Sequence, residues 1–151
     1  MKIVIQRVLK ASVSINNSKT AHIKRGLLIY LGITSTDTEN NAEYLAKKIV
    51  QMRIFGENPS FNQSIQELNL EVLIISQFTL CANIEKGRRP SFSNAAPPKQ
   101  AKILYKHFIN CLKNHSIFVQ TGVFQSTMQI SSINDGPVTI LIDTNDVKKL
   151  N

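Results

Sequence analysis

The chain opens with alternating apolar and polar residues, which predicts a β-strand. KIVIQRV places Ile3, Ile5 and Arg7 on one face of that strand, because successive side chains point to opposite faces. Two interpretations of Arg7 stay open: a side chain solvated at the strand edge, or one held inward to donate hydrogen bonds to backbone carbonyls. ASVSI (11–15) reads as a second strand, and the Asn-Asn pair at 16–17 predicts a turn.

Two longer segments, 26–33 and 70–80, are apolar almost throughout and predict strands buried on both faces. Two amphipathic patterns predict helices. The first follows Thr36 and Glu39, which have the spacing of a capping box. The second starts at a Pro-Pro pair, which suits the first turn of a helix, and covers 97–114.

The C-terminal third predicts strands over 115–120, 126–134 and 137–143. NDGPVT (134–139) lies between the last two, and Asp-Gly there predicts a hairpin turn. Pro137 is unexpected at that place, because proline has no N–H to give to a ladder. Strands interrupted by two main helices predict a single α+β domain over 1–151, with a largely antiparallel, barrel-like sheet.

Composition indicates a globular protein that has a basic surface. Of 151 residues, 42% are hydrophobic and 19% charged, and no apolar run suggests a leader or a membrane span, so a cytoplasmic protein without a membrane partner is expected. Cys81 and Cys111 form no CxxC motif, and we expect reduced thiols with no metal and no cofactor. The net charge of +8 favours partners rich in phosphate.

Familiar catalytic motifs are absent from the sequence, and its histidines are isolated. SQFTL (76–80) is the best remaining candidate, since an apolar strand becomes polar at its end. Ser76 and Thr79 either cap the strand edge or contribute to a reaction site. In the second case the Thr79 hydroxyl and the backbone N–H groups around Phe78 would face the developing negative charge.

Several motifs together resemble the D-aminoacyl-tRNA deacylase family over almost the whole chain. SQFTL and NDGPVT, in this order and about 55 residues apart, carry most of the specificity. The other matching segments are IQRV (5–8), ASV (11–13), GLL (26–28) with LG (31–32), RIF (53–55), RPSF (89–92) and TG.F...M (121–128).

The resemblance implies a homodimer that hydrolyses the ester between a D-amino acid and the 3′-terminal adenosine of tRNA, a step of translation quality control. It implies a catalytic segment of Ser76, Gln77, Phe78 and Thr79. It also implies that a Gly136-Pro137 pair in cis, from the other subunit, rejects L-amino acids by obstruction. Glycyl-tRNA, which has no side chain, would pass this filter.

Further roles follow from the same resemblance. Arg7 would support the Gly-Pro loop. The adenosine pocket would be lined by Phe124, Ser126 and Met128, whose alternative interpretation is sheet core. Contacts to tRNA phosphates would come from Lys86, Arg88 and Arg89, whose alternative interpretation is a solvated loop.

Two mechanisms and three classes of protein stay open. Either the 2′-hydroxyl of the tRNA assists a water molecule, or Thr79 is the nucleophile. Gln125 and Ser126 stand where this family usually has small residues, which affects the fit of the adenosine pocket. The rivals are a noncatalytic tRNA-end or RNA-binding module and an editing domain of the threonyl-tRNA synthetase kind, for which no synthetase sequence follows Asn151.

Overall fold

The computed structural model describes residues 1–56 and 60–147. Two helices and two sheets make up the described chain. In chain order the elements are β1 (Lys2–Ile15), β2 (Ser18–Ile23), β3 (Gly26–Gly32), α1 (Glu39–Gln51), β4 (Arg53–Phe55), β5 (Gln63–Ser64), β6 (Glu71–Ser76), α2 (Pro98–Asn114), β7 (Phe118–Thr121) and β8 (Gln129–Asp143).

The large sheet is organised around β1, which pairs antiparallel with β2, β3 and β8. Next to β3, the strands β6 and β7 run parallel to it, because α1 and α2 provide the crossovers that parallel pairing needs. The sheet curls until β2 also approaches β6 and β7. The α+β class and the barrel-like core are confirmed, although the sheet is mixed.

Both faces of the central strands are buried, as the apolar runs predicted. Along β3, Leu27 and Ile29 join the core cluster that α1 and α2 cover, whereas Leu28 joins a second cluster. The second cluster is enclosed by the curled sheet itself, with Val13 of β1 and Ile23 of β2 among its members. This double burial explains why these strands carry no polar face.

Element boundaries differ from the predictions at three places. The first strand is continuous through Ile15, so 11–15 is not a separate strand. The apolar strand 70–80 ends at Ser76, and Phe78–Cys81 forms a 3-10 turn. The Thr36 capping box is wrong: Thr38 caps α1, and its backbone N–H donates to the Asn41 side chain at 2.8 Å.

NDGPVT is a bulge and not a hairpin, which corrects the prediction from Asp-Gly. Both halves of β8 pair with the same strand, with Gln6 opposite Thr139 and Val8 opposite Asn134. Four residues, 135–138, therefore stand opposite Arg7 alone. Gly136 is not among the described glycines with positive φ, which a tight Asp-Gly turn would require.

Among the described residues, neither helix has the length and apolar character needed to cross a membrane.

Candidate active site

A cavity of about 730 Å³ opens where β3 and β6 end. The 3-10 turn, the start of α2 and the segment before β8 complete its walls. Six of the seven residues predicted for catalysis or for the adenosine pocket line it, all except Thr79, together with wall residues that the sequence did not single out. The lining residues are Leu31, Ile33, Ser76, Gln77, Phe78, Phe92, Ala95, Ala96, Pro97, Pro98, Ala101, Phe124, Gln125, Ser126, Thr127, Met128 and Ile130.

The 3-10 turn is held tightly against β3. The backbone N–H of Gln77 donates to the Leu31 carbonyl at 2.8 Å. A Cβ on Gly32 would lie 2.9 Å from the Leu80 Cβ and 3.0 Å from the Gln77 carbonyl oxygen. Only glycine allows this approach, so Gly32 sets the position of the 3-10 turn. The sequence showed Gly32 within a matching motif but gave it no role.

Thr79 is exposed and does not line the cavity. Its Oγ1 accepts a hydrogen bond from the Gln77 side chain at 2.5 Å. The backbone N–H groups of Phe78 and Thr79 are the first of the turn, where no carbonyl of the turn itself can accept them. The turn therefore presents backbone donors at the mouth of the cavity, while the hydroxyl is engaged by a neighbouring amide.

Phe92 forms an aromatic wall with Phe78. Their ring centroids are 5.0 Å apart at an interplanar angle of 70°, an edge-to-face contact. The loop that carries Phe92 is closed by paired hydrogen bonds of 2.8 Å between the backbones of Asn83 and Ser91. Sequence reasoning quoted Phe92 within RPSF but missed its position in the site.

The three residues predicted for the adenosine pocket lie together on one wall. The Phe124 ring contacts the Tyr105 ring, with 5.6 Å between centroids. Met128 packs directly against Gly122, where a Cβ would collide with the Met128 Sδ. Ser126 closes a tight turn by donating its N–H to the Val123 carbonyl at 3.2 Å. All three side chains are partly exposed to the cavity, which favours a pocket wall over buried core.

The cavity is uncharged. None of the described residues that line it has an ionisable side chain. Next to it, burial raises the pKa of the Cys81 thiol, and burial also raises the pKa of the Tyr105 hydroxyl, which donates to the Ile74 carbonyl at 3.0 Å. In residues 1–56 and 60–147, no three His, Cys, Asp or Glu side chains come together as metal ligands.

The bulge with Gly136 and Pro137 is held by the side chain of Arg7. That side chain is 8% exposed. Its Nη1 donates to the Ile54 carbonyl at 2.7 Å, and its Nη2 donates to the Gly136 carbonyl at 3.4 Å. Its Nε lies 2.8 Å from Asp135 Oδ2 as an ion pair without the alignment of a hydrogen bond. The inward interpretation of Arg7 is confirmed, and the Gly136-Pro137 peptide bond is cis.

Two further side chains complete this support. Asn134 donates through Nδ2 to the carbonyls of Arg7 at 2.9 Å and Val138 at 3.2 Å, which closes the neck of the bulge. The guanidinium of Arg7 also lies 5.6 Å from the centre of the Phe61 ring. No such role was predicted for Asn134 or Phe61, because both contacts join residues that are far apart in the chain.

Gly136 and Pro137 are exposed and do not line the cavity of their own chain. They stand opposite Arg7, which pairs with Leu27, and Leu27 pairs with Val72. Ser76 is four residues beyond Val72, about 13 Å further along the strands. The width of β1, β3 and β6 adds to this separation. The bulge and the cavity therefore occupy different regions of one chain.

The predicted phosphate contacts Lys86, Arg88 and Arg89 are all exposed. They project from the loop between Asn83 and Ser91 that also brings Phe92 to the cavity. Cationic side chains are thus carried by the loop that leads to one wall of an uncharged cavity, an arrangement suited to a ligand with an anionic backbone.

Comparison with known proteins gives consistent results. The family model described as D-Tyr-tRNA(Tyr) deacylase matches residues 4–143. A protein of Dictyoglomus turgidum named D-aminoacyl-tRNA deacylase is 49% identical over 99% of this chain and 96% of its own length. One of Thermosipho africanus with the same name is 47% identical over 97% of this chain and 99% of its own.

Solved structures agree with this fold. One titled c-Myc DNA Unwinding Element Binding Protein has a TM-score of 0.88 at 35% identity, over 95% of this chain and 98% of that one. Another, titled as a probable eukaryotic D-amino acid tRNA deacylase, has a TM-score of 0.82 at 17% identity, over 93% and 97% of the two chains. At that identity the second likeness shows the fold alone.

Proposed function

Because the chain belongs to the D-Tyr-tRNA(Tyr) deacylase family, we propose that it hydrolyses the ester of D-aminoacyl-tRNA and releases free D-amino acid and tRNA. The observation that carries this proposal is the uncharged cavity that joins the SQFTL segment to Phe124, Ser126 and Met128. Its volume is within the range of small-ligand pockets. The terminal adenosine and the ester would share it.

The mechanism follows from the lack of an ionisable side chain in the cavity. Water adds to the ester carbonyl carbon, and the N–H groups of Phe78 and Thr79 stabilise the oxyanion that forms. The bond to the ribose 3′-oxygen then breaks, and that oxygen takes up the proton that the attacking water loses. The neighbouring 2′-hydroxyl of the tRNA orients the water, in the place where another enzyme would use a side-chain base.

The competing mechanism, with Thr79 as nucleophile, is less well supported. A threonine hydroxyl needs an adjacent base to attack an ester. The group that contacts the Thr79 Oγ1 is the Gln77 amide, which is a donor in this contact and not a base. None of the described side chains that line the cavity can act as a base.

Chiral selection is assigned to the bulge of a second copy of the chain. The carbonyl of Gly136 is oriented by Arg7, yet Gly136 and Pro137 are exposed and remote from their own cavity. In a homodimer this rigid backbone would cover the partner's cavity. An L side chain would collide with it, and a D side chain would point to solvent.

Two consequences distinguish obstruction from side-chain recognition. Many different D-aminoacyl-tRNAs are substrates, because the D side chain is not contacted. Glycyl-tRNA is also hydrolysed, since glycine has no side chain to collide. A purified protein that leaves glycyl-tRNA intact would contradict the obstruction. Lys86, Arg88 and Arg89 contact phosphates of the tRNA backbone. The reaction takes place in the cytoplasm, where amino acids are attached to tRNA.

The test is release of amino acid from D-tyrosyl-tRNA, measured together with binding of the same tRNA. Hydrolysis at nanomolar protein supports the proposal. Binding without hydrolysis would favour a noncatalytic nucleic-acid-binding module. One observation supports that alternative: a similar solved structure is titled c-Myc DNA Unwinding Element Binding Protein.

A further inference from the structure

A second cavity, of about 350 Å³, lies on the outer surface where β2, β1 and β8 run side by side. Its lining is polar and basic, and the described residues in it include no carboxylate. The lining residues are Lys10, Ala11, Ser12, His22, Ile23, Lys24, Ser131, Ser132 and Ile133. We call this the anion cavity.

Strand register explains how these groups converge. Ser12 of β1 stands opposite His22 of β2 on one side and opposite Ser131 of β8 on the other. Lys10 is two residues from Ser12, so the two side chains lie on the same face of β1. The intervening Ala11 is buried in the core. Hydroxyl, imidazole and ammonium groups thus share one outer face.

The positive charge of this face is only partly offset within the described chain. Neither Lys10 nor Lys24 takes part in an ion pair of the described residues. The cationic partners in those ion pairs are the Met1 amino group, Lys2, Arg7 and His107. Glu71 approaches from the neighbouring strand, but its carboxylate accepts a hydrogen bond from the backbone N–H of Lys24 at 2.8 Å. Two ammonium groups that share a cavity repel each other, which an anion between them would offset.

The anion cavity is next to the candidate active site along β8. Ile130 lines the active-site cavity, and Ser131, Ser132 and Ile133 line the anion cavity. At about 3.3 Å per residue, the two sites are only a few residues apart along β8. They lie on opposite faces of it, because Ile130 stands opposite the buried Val13 and Ser131 stands opposite Ser12. An RNA strand with its 3′ end in the first cavity would reach the second by crossing the edge of β8, which pairs with β1 alone among the described strands.

We propose that the anion cavity binds a backbone phosphate of the RNA strand whose 3′-terminal adenosine occupies the active-site cavity. This inference rests on the proposed function. The lysines supply charge, and the serine hydroxyls donate hydrogen bonds to phosphate oxygens. Such contacts position the strand without reading its sequence, so they serve any tRNA.

The test compares the double variant Lys10→Gln/Lys24→Gln with the control Lys47→Gln/Lys106→Gln. Both remove two exposed charges, but Lys47 and Lys106 lie on α1 and α2, which cover the other core cluster. Three quantities are measured for each: KM for D-tyrosyl-tRNA between 50 and 300 mM salt, hydrolysis of the D-tyrosyl ester of adenosine, and binding of uncharged tRNA.

The first double variant is expected to raise KM for the tRNA and to weaken binding roughly 10- to 50-fold, and to lower the slope of log affinity against log salt by about one to two. Hydrolysis of the adenosine ester, which has no phosphate, is unchanged. Equal losses in both double variants, or no loss in the first, would overturn the inference. A wild-type protein that hydrolyses neither ester would refute the proposed function, while its binding data still test the anion cavity.

Discussion

The side-chain amide of Asn134 donates to the backbone carbonyl of Arg7 at 2.9 Å, although 127 positions separate the two residues. The same Nδ2 reaches the carbonyl of Val138 at 3.2 Å, on the far side of the bulge. One amide therefore fixes both ends of the segment that presents Gly136 and Pro137.

Replacing Asn134 by aspartate tests this closure with little change in shape. A carboxylate would face two carbonyl oxygens with no proton to donate, so we expect a loss of about 1–2 kcal/mol in the free energy of unfolding. We also expect weaker rejection of L-tyrosyl-tRNA, because the bulge loses its support. Chemical denaturation and the ratio of D to L hydrolysis measure the two effects. The exposed Asn110→Asp is the matched control, and equal behaviour of both variants would refute the closure.

The substitution Gly136→Ala is expected to lower activity without lowering stability. In a single chain a Cβ at Gly136 would meet no atom within 4 Å, and its φ is not in the left-handed region. We therefore expect a free energy of unfolding within about 0.5 kcal/mol of the parent chain. Hydrolysis of D-aminoacyl-tRNA should fall at least tenfold, because the methyl group would enter the partner's cavity. Full activity with unchanged stability would place Gly136 away from any active site.

Thr79→Val decides between the two mechanisms. The change removes the hydroxyl and retains the side-chain volume at an exposed position. If backbone N–H groups and the tRNA 2′-hydroxyl carry the reaction, kcat changes less than about fivefold. A fall of about 100-fold or more, measured in single-turnover experiments, would instead identify Thr79 as the nucleophile.

Gly32→Ala tests the placement of the 3-10 turn. The new Cβ would lie 2.9 Å from the Leu80 Cβ and 3.0 Å from the Gln77 carbonyl oxygen, so β3 and the turn must separate. Overpacking of this kind costs about 1–3 kcal/mol. We expect kcat to fall more than tenfold while KM for the tRNA changes little, because the tRNA contacts are elsewhere. A variant with normal kcat would show that the turn tolerates displacement.

The elements that the sequence predicted well are those with a strong local signal. The run at 26–33 is buried on both faces, and α2 begins at Pro98 and ends at Asn114 as predicted. Ser76 and Met128 were placed in one site by resemblance, and the structure brings them to one cavity. Apolar continuity and proline at a helix start are properties of neighbouring residues, which a single sequence displays.

The wrong prediction that bears on the site concerns a strand partner. Asp-Gly at 135–136 predicted a hairpin, but both flanking segments pair with β1, and a local motif does not encode which strand it will meet. The same limit explains why Asn134, Gly32 and Phe92 received no role. Each acts through a contact with a residue from a distant part of the fold or, for Phe92, across a loop.

Stereochemical exclusion is the central feature of the proposed reaction, and one comparison measures it directly. The values of kcat/KM are determined for D-tyrosyl-tRNA and L-tyrosyl-tRNA prepared on the same tRNA. The account predicts that the D ester is preferred by roughly 1,000-fold or more, since a collision with rigid backbone costs several kcal/mol. Comparable rates for the two enantiomers, or hydrolysis of the L ester alone, would contradict it.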